Sequence, residues 1–207
     1  MLSQQIQLVL PEGIYNDVQV LRPIYSQDVK NIPTLIHTTN SLIQIYNSWQ
    51  NLNNTLISIG ARGVNIPEGL TETLYCYITG AYRTNNIKLS NCNTSFDCYL
   101  PSNSPNTPGK RIQVKACSIA PDLTSFGPHS VWDKLIFIDF SSGNGNFEIY
   151  CIPNNLIYSR VLNKKKNETF KMQQSQGRRP RLSLIEVINE NQLKPIYIDN
   201  IYNLRVL

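Results

Sequence analysis

The chain has 207 residues, 41% of them hydrophobic and 16% charged, with a net charge of +5. That length supports one domain with a full core, or a core with an added helical part. There is no apolar run of the roughly 18 residues a membrane span needs, and the start MLSQQIQLVLPEG lacks the basic flank and long apolar stretch of a signal peptide, so a cytoplasmic protein is expected. The five cysteines (76, 92, 98, 117 and 151) are an odd number without a C-x-x-C pair, which predicts free, mostly buried thiols. A zinc site from Cys92, Cys98 and Cys117 has no such spacing behind it.

Residues 1–33 mix short apolar runs with turn residues and predict no element. From Thr38 to Ser58, apolar residues at 42, 43, 45, 46, 49, 52, 56 and 57 follow helical spacing, and Gly60 closes the helix. ARGVN reads as a turn, and Pro67 opens a second helix running to about Ile78. Glu68 and Glu72 lie four apart in that helix, so their carboxylates share a face. A strand is expected over 94–100, a Pro/Asn/Ser loop after it, and a second strand over 110–117. APDLTSFGPHS reads as an irregular connection, KLIFIDF (134–140) as a buried central strand, and NFEIYCI (146–152) as its hairpin partner across SSGNGN. Helices near 154–161, 167–175 and 182–191 complete the chain. Helices, then three or four strands, then helices predict an α+β or α/β fold with a mixed central sheet.

The strands over 94–100 and 110–117 bring Asp97, Gln113 and Lys115 into one argument. Gln113 and Lys115, two apart, project from one face, while Ile112, Val114 and Ala116 face the core. Asp97 then falls beside Gln113 at the sheet edge, and Glu72 of the preceding helix can reach the same point. Hydrolysis of a phosphodiester uses a divalent cation on hard oxygen ligands, and Mg²⁺ takes one or two carboxylates with neutral oxygens and water. Asp97, the Gln113 side-chain carbonyl and the Val114 backbone carbonyl supply such a set. Lys115 would orient the water and stabilise negative charge in the transition state. Alternating polar residues also describe any half-exposed strand, so on spacing alone both readings stand.

Between Arg160 and Arg181 lie eight of the chain's 19 cations and one acid, Glu168. That concentration suits a polyanion. Lys164, Lys165 and Lys166 read as phosphate contacts or as a solvated loop. Arg178, Arg179 and Arg181, around Gly177 and Pro180, read as base or phosphate contacts or as an exposed turn. Asp122, Thr124 and Ser125 would meet DNA, or satisfy their own loop backbone. Glu68 is either a partner of the site or a helix-start carboxylate, and His129 reads as a surface residue before a general base. Trp132, Phe137 and Phe140 read as core.

The spacing D-x(15)-QVK resembles the PD-(D/E)xK motif of type II restriction endonucleases, with glutamine at the second acidic position. RGVNIPEGLTE (62–72), DLTSFGPHSVWDKLIFIDF (122–140) and QGRRPRLSLIEVI (176–188) are similar to segments of small enzymes of that group, so the resemblance covers about residues 38–190. It implies a restriction-endonuclease-like core in a single domain: residues 1–60 as a partly irregular, partly helical start, 61–152 as the catalytic core and 153–207 as the basic DNA-binding part. It further implies a prokaryotic enzyme cutting double-stranded DNA as a homodimer, with Mg²⁺ or substituting Mn²⁺, no nucleotide cofactor and no membrane. Matched to the motif, Asp97, Gln113 and Glu72 hold the metal and Lys115 is the catalytic lysine. Phe96 stands where the motif has proline, and Gln113 removes one negative charge, shifting metal affinity toward Asp97 and Glu72. The rival readings are a monomeric repair or nicking nuclease of the same fold, and a catalytically silent DNA-binding module.

Overall fold

The structure, a computed structural model, describes residues 23–30, 39–89 and 95–204. Thr38, residue 94 of the expected strand and Cys92 lie outside them. The elements in chain order begin with β1 (Val29–Lys30), α1 (Thr39–Ser58), α2 (Glu68–Thr79), β2 (Tyr82–Arg83) and β3 (Lys88–Leu89). β4 (Cys98–Leu100), β5 (Lys110–Cys117), β6 (Thr124–Ser125), β7 (Lys134–Asp139) and β8 (Asn146–Ile152) follow. The rest are α3 (Asn154–Tyr158), β9 (Val161–Asn163), β10 (Glu168–Thr169), α4 (Phe170–Ser175), β11 (Arg181–Leu182), α5 (Leu184–Glu190) and β12 (Tyr197–Asn200).

Among the described residues the central sheet has six strands in the order β12-β8-β7-β5-β4-β2. Only the β5–β7 pair is parallel, so the sheet is mixed. The middle of β7, LIFI (135–138), is apolar on both faces because both are covered. Ile136 and Ile138 enter the core under α1 and α2, whereas Leu135 and Phe137 enter the core under α3, α4 and α5. The fold is therefore α+β, a mixed sheet between two helical layers.

α1 is held at its middle. Tyr46 stacks on Phe140, its hydroxyl oxygen accepts from the Gly145 N–H (3.0 Å), and the Trp49 indole donates to the Val64 carbonyl (3.1 Å). α2 stops where Gly80 turns left-handed (φ 72°) and returns its N–H to the Cys76 carbonyl (2.8 Å).

Tertiary pairing changed several expectations. DLTSFGP is not wholly irregular: β6 within it pairs antiparallel with β11, Ser125 opposite Arg181, and the Phe126 N–H donates to the Pro180 carbonyl (3.0 Å). The last helix consequently begins at Leu184, after Ser183 caps it by accepting from the Glu186 N–H. The helices near 154–161 and 167–175 are shorter than expected because β9 and β10 form a hairpin between them, with Asn167 at φ 50° in its turn. Finally, β12 joins the sheet beside β8, so the C-terminal part contributes a strand to the core domain. No described helix is long and apolar enough to cross a membrane.

Candidate active site

Asp97 sits just before β4, where the chain is pinned on both sides. Phe96, in the motif's proline position, is buried against Ile24, Ile87 and Tyr99. The Asp97 N–H donates to the Ile112 carbonyl (3.0 Å), and its own carbonyl accepts from the Thr84 N–H (3.0 Å) and hydroxyl (3.1 Å). Pairing between β4 and β5 ends at Cys98–Ile112, so among the described residues β5 beyond that point has an open edge. Alternate residues of a strand send their backbone groups to the same side, so the Val114 N–H and carbonyl both face that edge, like those of Ile112. The Asp97 carboxylate takes up the Val114 N–H (2.8 Å) and also accepts from the Gln113 side-chain amide.

Gln113 is buried, and among the described residues its Oε1 has no hydrogen-bond partner. Lys115, two residues on, is half-buried with its Nζ over the Phe126 ring (5.7 Å to the centroid). The structure thus brings Asp97, Gln113, Val114 and Lys115 together. On the expected face pattern, Ile112 and Val114 do enter the core under α2 and Ala116 packs against it.

Glu72 approaches from α2, half-buried, and its Oε2 accepts from both Arg83 Nε and Nη2 (2.8 Å each). Arg83 stands on β2 directly opposite Cys98, next to Asp97, so this ion pair forms one wall of the corner. Glu68 is exposed, and its charge acts on Asp97 less than that of Glu72. Burial pushes the Asp97 carboxyl up to about 6, against the attraction of Lys115 and the Val114 N–H; Glu72 and Glu68 push in the same direction as burial. Burial likewise raises Glu72, with Arg83 opposing it. Two half-buried carboxylates held above their ordinary range at one corner are poised for a cation.

The donor set fits Mg²⁺: one or two carboxylates, an amide oxygen and a backbone carbonyl, all hard. The orphaned, buried Gln113 Oε1 is the particular observation, because a cation shared with Asp97 would give it a partner. Among the described residues no group of three His, Cys, Asp or Glu side chains could hold a metal ion, so such a set depends on the amide and backbone oxygens beside the carboxylates.

The basic segment divides. Lys164, Lys165 and Lys166 are exposed at the β9–β10 turn, and Arg179 and Arg181 are exposed along GRRPR. Arg178 is paired with Glu168 (2.8 Å), and Arg160 grips Glu190 (2.6 Å) and Glu186 (3.5 Å). The part of the cluster free to meet a polyanion is therefore smaller than its composition. His129 is exposed, and Trp132, Phe137 and Phe140 are core.

The expectation that Asp122 and Thr124 meet DNA is corrected. Asp122 is 8% exposed, and its carboxylate accepts from the Thr124 and Ser183 hydroxyls (2.8 and 2.6 Å) and the Leu184 and Ile185 N–H groups (2.9 and 3.1 Å). It caps α5 across the fold, and Thr124 is buried beside it. Of that trio only Ser125 is partly accessible, next to Arg181. Sequence reasoning missed Arg83 and Phe126. Arg83 lies in no motif and Phe126 lies in DLTSFGP with no role attached to it; only the fold puts them beside Glu72 and Lys115.

Comparison with known proteins identifies the family. The profile of the Bsp6I restriction endonuclease family matches residues 36–191. The chain is 31% identical over 156 residues to the type II restriction enzyme Bsp6I of Bacillus sp. (strain RFL6), covering 74% of this chain and 83% of that one. No solved structure matches. With Asp97, Gln113 and Lys115 gathered inside the matched span, the chain belongs to the Bsp6I restriction endonuclease family.

Proposed function

We propose that this site-specific deoxyribonuclease hydrolyses DNA at the corner formed by Asp97, Gln113, Val114 and Lys115. The observation that carries the reading is the Asp97 carboxylate seated on the open edge of β5, bonded to Val114 N–H and the Gln113 amide beside Lys115. Type II restriction enzymes in general use Mg²⁺. Here Asp97, Gln113 Oε1 and the Val114 carbonyl would hold it, with Glu72 completing the negative wall; when bound, the ion polarises the phosphate and acidifies water.

The chain's own groups do the rest. Lys115 donates a hydrogen bond that orients the attacking water, and its charge stabilises the phosphoryl oxygens as negative charge builds. The water oxygen forms the new bond to phosphorus as the bond to one ester oxygen breaks, and the proton the water gives up is balanced by one that the leaving oxygen takes from solvent. Phe126, under the ammonium, restricts where Lys115 points. Arg83 neutralises part of the Glu72 charge and keeps that carboxylate turned inward.

Lys164, Lys165 and Lys166 grip phosphates, and Arg179 and Arg181, with Ser125, are presented for base contact. The enzyme acts as a homodimer, each subunit cutting one strand of a near-symmetric site. The test is digestion of a long DNA of known sequence with Mg²⁺, Mn²⁺ or EDTA, followed by sequencing of the fragment ends, for the wild type and Asp97→Ala. Ends at one recurring sequence, lost in EDTA and in the variant, are expected. Ends at random positions, or full cutting in excess chelator, would overturn the proposal.

A further inference from the structure

We infer that the exposed side of α1 is the surface through which two copies of this chain pair; this deepens the homodimer reading above and rests on it. Between Lys30 and Arg62 there is not one Asp, Glu, Lys or Arg, in a chain with 19 basic and 14 acidic residues. A helix that faces water on one side normally carries charges there. α1 instead presents a second apolar line. Ile45 (44% exposed), Leu52 (52%) and Ile59 (72%) follow one another at intervals of seven. Ile59 lies just past the helix end, but its N–H still bonds the Thr55 carbonyl (3.3 Å), so it keeps the helical phase.

This line lies roughly a quarter-turn round the axis from the buried line of Leu42, Tyr46 and Trp49. The apolar arc of α1 is therefore wider than the single contact it makes with the described core. Around the second line the exposed positions are uncharged amides and hydroxyls, such as Gln44, Ser48 and Asn51. An apolar centre with an uncharged polar rim is the composition of an interface core, where charge is depleted.

Charge selects the occupant. DNA requires cations, and this helix has none. A partner chosen by its charge would need the opposite charge here, and there is none to oppose. A second copy brings its own net charge of +5, so the two approach with least repulsion through a surface that carries no charge. An isologous pairing joins the same patch to itself. In an antiparallel pair of α1 helices the midpoint of the line, Leu52, sits at the two-fold axis and meets Leu52 of the second copy.

The experiment is mass measurement in solution by sedimentation, at micromolar concentrations, on the full chain. Leu52→Glu and Leu52→Lys should each weaken dimerisation by about a hundredfold or more, the scale on which a central anchor acts. On plasmid DNA carrying the cleavage site they should give nicked circles where the wild type gives linear product. Mixing the two variants should restore both the dimer and linear product, since Glu and Lys then face each other at the axis; a merely structural role for Leu52 would not give that rescue. Asn54→Glu, exposed on the other side of α1, should remain dimeric. A dimer that survives both Leu52 variants would overturn the α1 surface and leave the homodimer reading standing. A wild type that is monomeric, on and off DNA, would overturn the homodimer reading and this surface with it. If that monomer is also destabilised by Leu52→Glu, the line is covered within its own chain.

Discussion

Replacing Asp97 by asparagine separates stability from catalysis. The carboxyl is raised from an ordinary 3.8 to about 6, first by burial and then by Glu72 and Glu68, with Lys115 and the Val114 N–H acting against them. A carboxyl raised in the folded state binds its proton more tightly there than in the unfolded chain, so between these two values stability falls as pH rises. The difference of about 2.2 units, at 1.36 kcal/mol each, makes the ionised group unfavourable by up to about 3 kcal/mol above pH 6 without metal. Asparagine keeps the shape and still accepts from Val114 N–H and the Gln113 amide. Asp97→Asn should therefore be the more stable protein at pH 8 in EDTA, by up to roughly 6–12 °C in melting temperature for a domain of this size. The gap should close as pH falls toward 4. Added Mg²⁺ should raise the wild-type melting temperature and leave the variant unchanged, and the variant should not cut. The assay is thermal unfolding of both proteins from pH 4 to 8, with and without Mg²⁺. If the variant is no more stable at pH 8, or the gap widens on acidification, the account of this corner is wrong.

Lys115→Ala should keep DNA affinity and lose cleavage by roughly a hundredfold or more, the scale of one transition-state donor; near wild-type cutting in single-turnover kinetics would place the charge elsewhere. Asp122→Ala should lower stability by about 2–3 kcal/mol in urea unfolding, from a lost cap and stranded donors. Unchanged stability with weakened DNA binding would return Asp122 to the DNA interface. Neutralising Lys164, Lys165 and Lys166 should weaken binding to all sequences alike and flatten the salt dependence by about 0.9 per lost contact. Arg181→Ala should instead cost about 1–3 kcal/mol at the correct site and much less at random DNA. Titrations of cognate and scrambled duplexes in Ca²⁺, at several salt concentrations, distinguish the two, and equal losses on both duplexes would reduce Arg181 to a backbone grip.

Local periodicity alone is enough to read part of this fold. NFEIYCI matches β8 end to end, and KLIFID matches β7, because an apolar run bounded by turns is a property of the segment alone. The α1 spacing, and the Asp97, Gln113 and Lys115 constellation, were legible because each rests on an alternation or on one short loop between neighbouring strands. Tertiary structure decided whatever depends on partners far along the chain. DLTSFGP and GRRPR are some 55 residues apart, yet among the described residues β6 and β11 are each other's only strand partners, and two-residue strands have no periodicity to read. Asp122 looked like a loop carboxylate until α5, about 60 residues later, put two N–H groups and a hydroxyl on it. The basic segment looked like one patch until Glu168, Glu186 and Glu190 claimed Arg178 and Arg160. The environment of Asp97 is also tertiary: its proton affinity is set by burial and by Lys115 and Glu72, brought to it from β5 and α2. Side-chain chemistry is written residue by residue, but desolvation and pairing exist only once the chain has folded back on itself.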